Sequence, residues 1–144
     1  MSRSLRWLGV VLVACYWCAA QPAPVAAQDG QLKFEMYKDA KDEYRWRLKS
    51  SNGKILATAG QGFKSKRSCE TSVDNIKKGA GSDKYKFETY EDNKGEHRWR
   101  MVASNGQTVA NSSQGYSNKA DCDKAVALIK SSAKTAKVEE VSSE

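Results

Sequence analysis

Two Arg-Trp-Arg triplets, Arg45-Trp46-Arg47 and Arg98-Trp99-Arg100, hold the residues best placed to meet a charged partner. On a strand, alternation sends both arginines of a triplet to one face and the tryptophan to the other. Tyr37 and Tyr90, in the strands before them, alternate onto the arginine face. Arg45, Arg47, Arg98 and Arg100 beside two stackable rings are the equipment of a platform for an anionic polymer. Glu35, Glu43, Glu88 and Glu96 fall on that face too. Cross-strand Glu–Arg pairs contribute roughly 0.2–1 kcal/mol each to ordinary sheet stability. The face is therefore either a polyanion platform or an internal ion-pair ladder.

Other chemistry has less to stand on. The sole histidine, His97, aligns with Tyr44 and lies on the core-facing side of its strand. That leaves no histidine-rich metal site and no Ser-His-Asp constellation. Gly60, Gly62 and Gly115 precede helices, but neither Gly-x-x-x-x-Gly-Lys nor Gly-x-Gly-x-x-Gly occurs, so they read as sharp turns. No carboxylate pair stands out. Neither catalysis nor a cofactor or metal is expected. Cys69 and Cys122 lie in apolar helical stripes, as buried small hydrophobes or as a disulfide. Without Cys-x-x-Cys, redox catalysis is not indicated.

These residues sit in a repeat. Residues 33–77 align without a gap onto 86–130 at an offset of 53, identical at 21 of 45 positions. In the first copy Leu32, Phe34 and Met36 alternate with polar residues, as do Tyr44, Trp46 and Leu48, and Lys54 to Thr58 makes a third strand. Asn52-Gly53 and Asn105-Gly106 predict type I′ hairpin turns. Ser65 and Asn118 are placed to cap helices whose stripes are Cys69, Val73, Ile76 and Cys122, Val126, Ile129, with Gly79 closing the first. Short extended segments, Lys84-Tyr85-Lys86 and Lys137-Val138-Glu139, follow the helices. Each unit reads β-β-β-α-β, an α+β fold, with boundaries at 28–83 and 84–144.

Phe-Glu-x-Tyr-x-Asp, Arg-Trp-Arg, Ser-Asn-Gly, Gln-Gly-Phe/Tyr and Cys-x-x-x-Val-x-x-Ile, in this order in both copies, resemble the YegP-like family of small bacterial domains of unknown function. The resemblance implies that both units share one antiparallel sheet, with both helices on one face and the last strands exchanged. Lys137 to Val141 would then pair with the first unit. It transfers no catalytic residue.

Residues 1–27 read as a secretory signal peptide: Arg3 and Arg6, an apolar run from Trp7 to Ala20, and cleavage after Ala27. The run falls short of the roughly 20 residues a membrane span needs. Leu12-Val13-Ala14-Cys15 offers the alternative of a lipoprotein anchored at Cys15, the only route to a membrane. The mature chain keeps 22 basic residues against 17 acidic, net +5. A periplasmic or secreted monomer is expected. For it an anionic polysaccharide or envelope polymer is a better-fitting partner than nucleic acid, and a protein partner using loops or a sheet edge is the alternative.

Overall fold

A computed structural model describes residues 31–142; the signal-peptide and Cys15 readings fall outside them. The order is β1 (Lys33–Lys38), β2 (Tyr44–Lys49), β3 (Ile55–Ala59), α1 (Lys66–Gly79), β4 (Tyr85–Glu91), β5 (His97–Ala103), β6 (Thr108–Ser112), α2 (Lys119–Ser132), a 3-10 turn at Ala133–Thr135 and β7 (Lys137–Glu140). The strands form one sheet ordered β4-β5-β6-β3-β2-β1-β7. The repeats meet where β3 pairs with β6.

The helices begin where the sequence places them. The Ser65 and Asn118 side chains accept from the amides of Ser68 and Asp121. Their stripes bury Cys69, Val73 and Ile76, and Cys122, Val126 and Ile129, in a single core with Phe34, Trp46, Leu48, Trp99 and Met101. Both tryptophans are fully enclosed. Among the described residues no helix covers the arginine face of the sheet.

Three local features depart from expectation. Five of the strand pairings are antiparallel, but β7 runs parallel to β1, so the sheet is mixed. Helix α2 returns the chain to the end of the sheet at which β1 begins. There the Lys137 amide donates to the Leu32 carbonyl at 3.1 Å, and β7 continues in the direction of β1. The Asn-Gly hairpins are not type I′, since Gly53 and Gly106 have positive φ (81° and 82°) but Asn52 and Asn105 do not. A left-handed glycine at the end of a longer turn inserts a residue, and the register of β2 on β3 and of β5 on β6 shifts beside it. Gly79 ends α1 without a left-handed cap, the C-cap being Ala80 in right-handed geometry. It is glycine because a Cβ there would strike the Tyr85 ring.

The strand exchange goes one way. By the repeat offset, β7 corresponds to residues 84–87, of which 85–87 here open β4. One segment cannot be both the last strand of the first unit and the first strand of the second. Consequently β1 is flanked by β2 and β7, while among the described residues β4 pairs with β5 alone.

Candidate binding surface

The strand register draws one row across the open face: Glu139, Glu35, Arg47, Thr58, Asn111, Arg100, Glu88. It is nearly symmetric about the β3–β6 seam, with an arginine inside a glutamate on each side. Arg47 Nε donates to Glu35 at 2.8 Å and Arg100 Nε to Glu88 at 2.9 Å. The other two arginines reach into the β1–β2 and β4–β5 turns, where Arg45 donates to Asp39 and Arg98 to Asp92, each at 2.5 Å. Glu43 and Glu96 add longer contacts of 3.7 and 3.4 Å to the same pair of arginines. Arg47 lies over the Tyr37 ring at 5.0 Å and Arg100 over Tyr90 at 5.6 Å. All six expected site residues therefore share the open face, and all four arginines engage carboxylates of this chain.

The two halves differ in burial. Glu35 is only 5% exposed and gathers three cations, Lys33, Arg47 and Lys49, at 3.1, 2.8 and 2.8 Å. Burial is the strongest single influence on its carboxyl and pushes its pKa up. Hydrogen bonds from Lys49, Arg47 and Lys33 together outweigh burial and bring it down to about 2. In the second half Val102 replaces Lys49, and among the described residues Glu88 pairs with Lys86 and Arg100 only. The Arg100 side chain is 50% exposed, against 13% for Arg47. At the turns, Arg98 and then the amides of Glu96 and Lys94 hold the Asp92 carboxyl down at about 2. Asp39 is lowered in the same way, chiefly by Arg45.

The helix side offers less chemistry. Cys69 and Cys122 are buried free thiols. Burial first and Glu70 second push Cys69 up to about 11, and burial raises Cys122 as well, which suppresses the reactive thiolate. A cleft between α1 and the sheet, lined by Gln61, Ser68, Ser72, Asn75 and Gln107 among others, carries no ionisable group besides Tyr85 among the described residues. Among the described residues no three His, Cys, Asp or Glu side chains stand close enough to hold a metal ion. No helix there is long and apolar enough to cross a membrane.

One buried pair shows how the repeats have diverged. The Trp46 indole donates to Ser72 Oγ at 3.1 Å, and Phe63 packs nearby. In the second repeat Ala125 stands for Ser72 and Tyr116 for Phe63. The Tyr116 hydroxyl comes close to Trp99 without forming a full hydrogen bond, so Trp99 Nε1 and Tyr116 Oη are both buried and unsatisfied. Ala125→Ser should supply the missing acceptor and raise stability by about 1 kcal/mol, measured as a higher urea midpoint at unchanged slope.

The model of the family described as a domain of unknown function, DUF1508, matches twice, over residues 39–86 and 92–140. The chain belongs to the DUF1508 family. A UPF0339 protein encoded in the ptx operon 5′ region of Stutzerimonas stutzeri is 36% identical to this DUF1508 chain over 108 residues, covering 75% of it and 95% of the relative. A UPF0339 protein of Neisseria meningitidis serogroup B is 57% identical over 44 residues, 31% of this chain but 77% of the relative, which has room for a single repeat. Two solution structures share the fold. That of yegP from E. coli, a protein of unknown function, superimposes with TM-score 0.68 at 22% identity, covering 79% of the DUF1508 chain and 96% of yegP. That of UPF0339 protein SO3888 from Shewanella oneidensis gives 0.69 at 18% identity, covering 78% and 92%. Both are fold likenesses.

The expected site omits residues on which the DUF1508 surface depends: Asp39, Asp92, Lys33, Lys49 and the outer edge of β4. Asp39 and Asp92 are conspicuous only as identical turn residues of the repeat. The open edge was readable from the overlap at residues 84–86, which the repeat assigns to two strands at once.

Proposed function

We propose that the mature chain is an exported, non-catalytic protein-binding module that accepts an extended segment of a partner along the outer edge of β4. The observation that carries this reading is the one-sided exchange: β7 covers β1, and nothing among the described residues covers its counterpart β4. A row of outward backbone donors and acceptors is a template for strand addition. The edge is a full seven-residue strand, and Phe87 is only half-buried where its counterpart Phe34 is fully enclosed.

The arginine face supports a second reading in one place only. Arg100 and Tyr90 (42% exposed) are accessible together, so the second half of the face has a stacked cation that an anionic polymer could meet. Elsewhere the arginines are matched by Glu35, Asp39 and Asp92, and a polymer would have to displace those carboxylates. The edge is therefore the stronger reading.

Thr89→Pro tests it. Thr89 is the counterpart of Met36, whose carbonyl accepts from the Val141 amide beyond the sheet, so its backbone points outward from β5. Proline there removes an outward N–H and leaves the β4–β5 ladder intact. A fluorescent peptide of residues 134–142, the segment that covers β1, should bind the wild-type chain and lose at least about tenfold in affinity for the variant. Equal binding to both would reject the edge. Export is checked separately: the N-terminus of secreted material should be Gln28, and a lipid-modified Cys15 would overturn soluble release.

A further inference from the structure

The geometry points to an acidic strand as the partner, lying parallel to β4 and carrying an apolar residue followed by two carboxylates. This deepens the edge reading above and rests on it. The chain fills the equivalent edge itself with such a strand. Along β1, Val138 stands opposite Phe34, Glu139 opposite Glu35 and Glu140 opposite Met36. The two glutamates point to opposite faces and each meets a lysine: Glu139 reaches Lys33 at 3.1 Å on the open face, and Glu140 reaches Lys66 at 2.5 Å at the start of α1.

Both lysines recur at the offset of 53. Lys33 becomes Lys86 and Lys66 becomes Lys119, among the 21 identities of the repeat. With no β7 beside β4, both remain at the surface. The Lys86 side chain is 78% exposed and, among the described residues, pairs only with Glu88 in its own strand, at 3.3 Å. Lys119, 62% exposed, forms its ion pair among the described residues with Asp123, one turn along its own helix. Leu32 and Met36, whose carbonyls receive the Lys137 and Val141 amides, have Tyr85 and Thr89 as counterparts. Phe87, the counterpart of Phe34, offers the apolar contact.

The open edge thus repeats the backbone acceptors, the aromatic ring and the two flanking cations with which β1 holds Val-Glu-Glu. An antiparallel strand would not bring successive carboxylates to Lys86 and Lys119 in this register. The occupant is a segment of another protein. The chain's own β7 is held at β1 by its short tether to α2, which gives that intramolecular pairing the higher effective concentration.

The probe is the peptide of residues 134–142, with a nitroxide at either end, added to isotope-labelled residues 28–144. With the label at the peptide N-terminus, amide signals near Tyr85 should broaden. With the label at the C-terminus, broadening should move to Glu91. The peptide with both glutamates changed to lysine should bind several-fold more weakly. K86E/K119E should reverse that preference while the spectrum away from the edge stays unchanged. Edge binding that is antiparallel, or equal for both peptides, overturns the acidic parallel strand and leaves strand addition standing. No broadening along β4 with either peptide overturns both.

Discussion

Glu35→Gln should be among the most damaging single changes on the open face, lowering unfolding free energy by about 3 kcal/mol. The carboxylate is buried and holds three cations within 3.1 Å. Glutamine keeps the shape but removes the charge, leaving Lys33, Arg47 and Lys49 to repel one another across neighbouring strands. Glu88→Gln is the internal control. It has two cationic partners and a more exposed site, so the loss should be much smaller. Chemical denaturation of both variants beside the wild type checks the ranking, and equal losses would contradict it. The pH dependence follows in sign. The folded Glu35 carboxyl sits at about 2, below its ordinary 4.5, so the unfolded chain takes up its proton first as pH falls. Its contribution is present in full above about 4.5 and disappears as pH drops toward 2. Wild-type stability should fall through that window, and Glu35→Gln should flatten the fall.

Trp46→Ala should cost about 4 kcal/mol, and Trp99→Ala somewhat less. Both rings are fully enclosed, and both pack against a phenylalanine, with centroids 5.4 Å from Phe34 and 5.5 Å from Phe87. The difference lies in the indole N–H. Removing Trp46 breaks a formed bond to the half-buried Ser72 hydroxyl, whereas removing Trp99 deletes a donor that was already unsatisfied. β1 is also sheltered by β7, so loss of Trp46 disturbs the better-covered half of the core. Urea midpoints of the two variants, measured side by side, should fall in that order. A larger loss at Trp99 would mean that exposure of β4 matters less than burial of the ring.

Much of the fold is legible because the chain states it twice. The alternation around Arg45-Trp46-Arg47 and Arg98-Trp99-Arg100 places arginines and tryptophans on opposite faces, and the caps Ser65 and Asn118 set the helix starts. Residues 32–48 therefore reveal their faces without any knowledge of partners. The Asn-Gly turns misled, because local sequence favours a two-residue turn while the structure carries an extra residue through glycine alone. The direction of β7 was hidden for another reason. A four-residue segment has the same alternation whether it runs parallel or antiparallel, and only the end at which α2 delivers it decides. On the open face, residue type showed that arginines and glutamates share a side but not how they share charge. Glu35 became the hub because Lys49 stands where the second repeat has Val102. That asymmetry, like the uncovered β4, is visible only once strand neighbours are known.

Whether this DUF1508 chain binds along its open edge or across its arginine face is decided by one amide chemical-shift map of residues 28–144, recorded with the 134–142 peptide and separately with dextran sulfate. Edge binding requires peptide shifts confined to Tyr85–Glu91 and the start of α2, abolished by Thr89→Pro, and no saturable response to the polyanion. Saturable, salt-sensitive shifts at Tyr37, Arg45, Arg47, Tyr90, Arg98 and Arg100 with dextran sulfate, and silence along β4 with the peptide, would reject the edge and establish the arginine face as the binding surface.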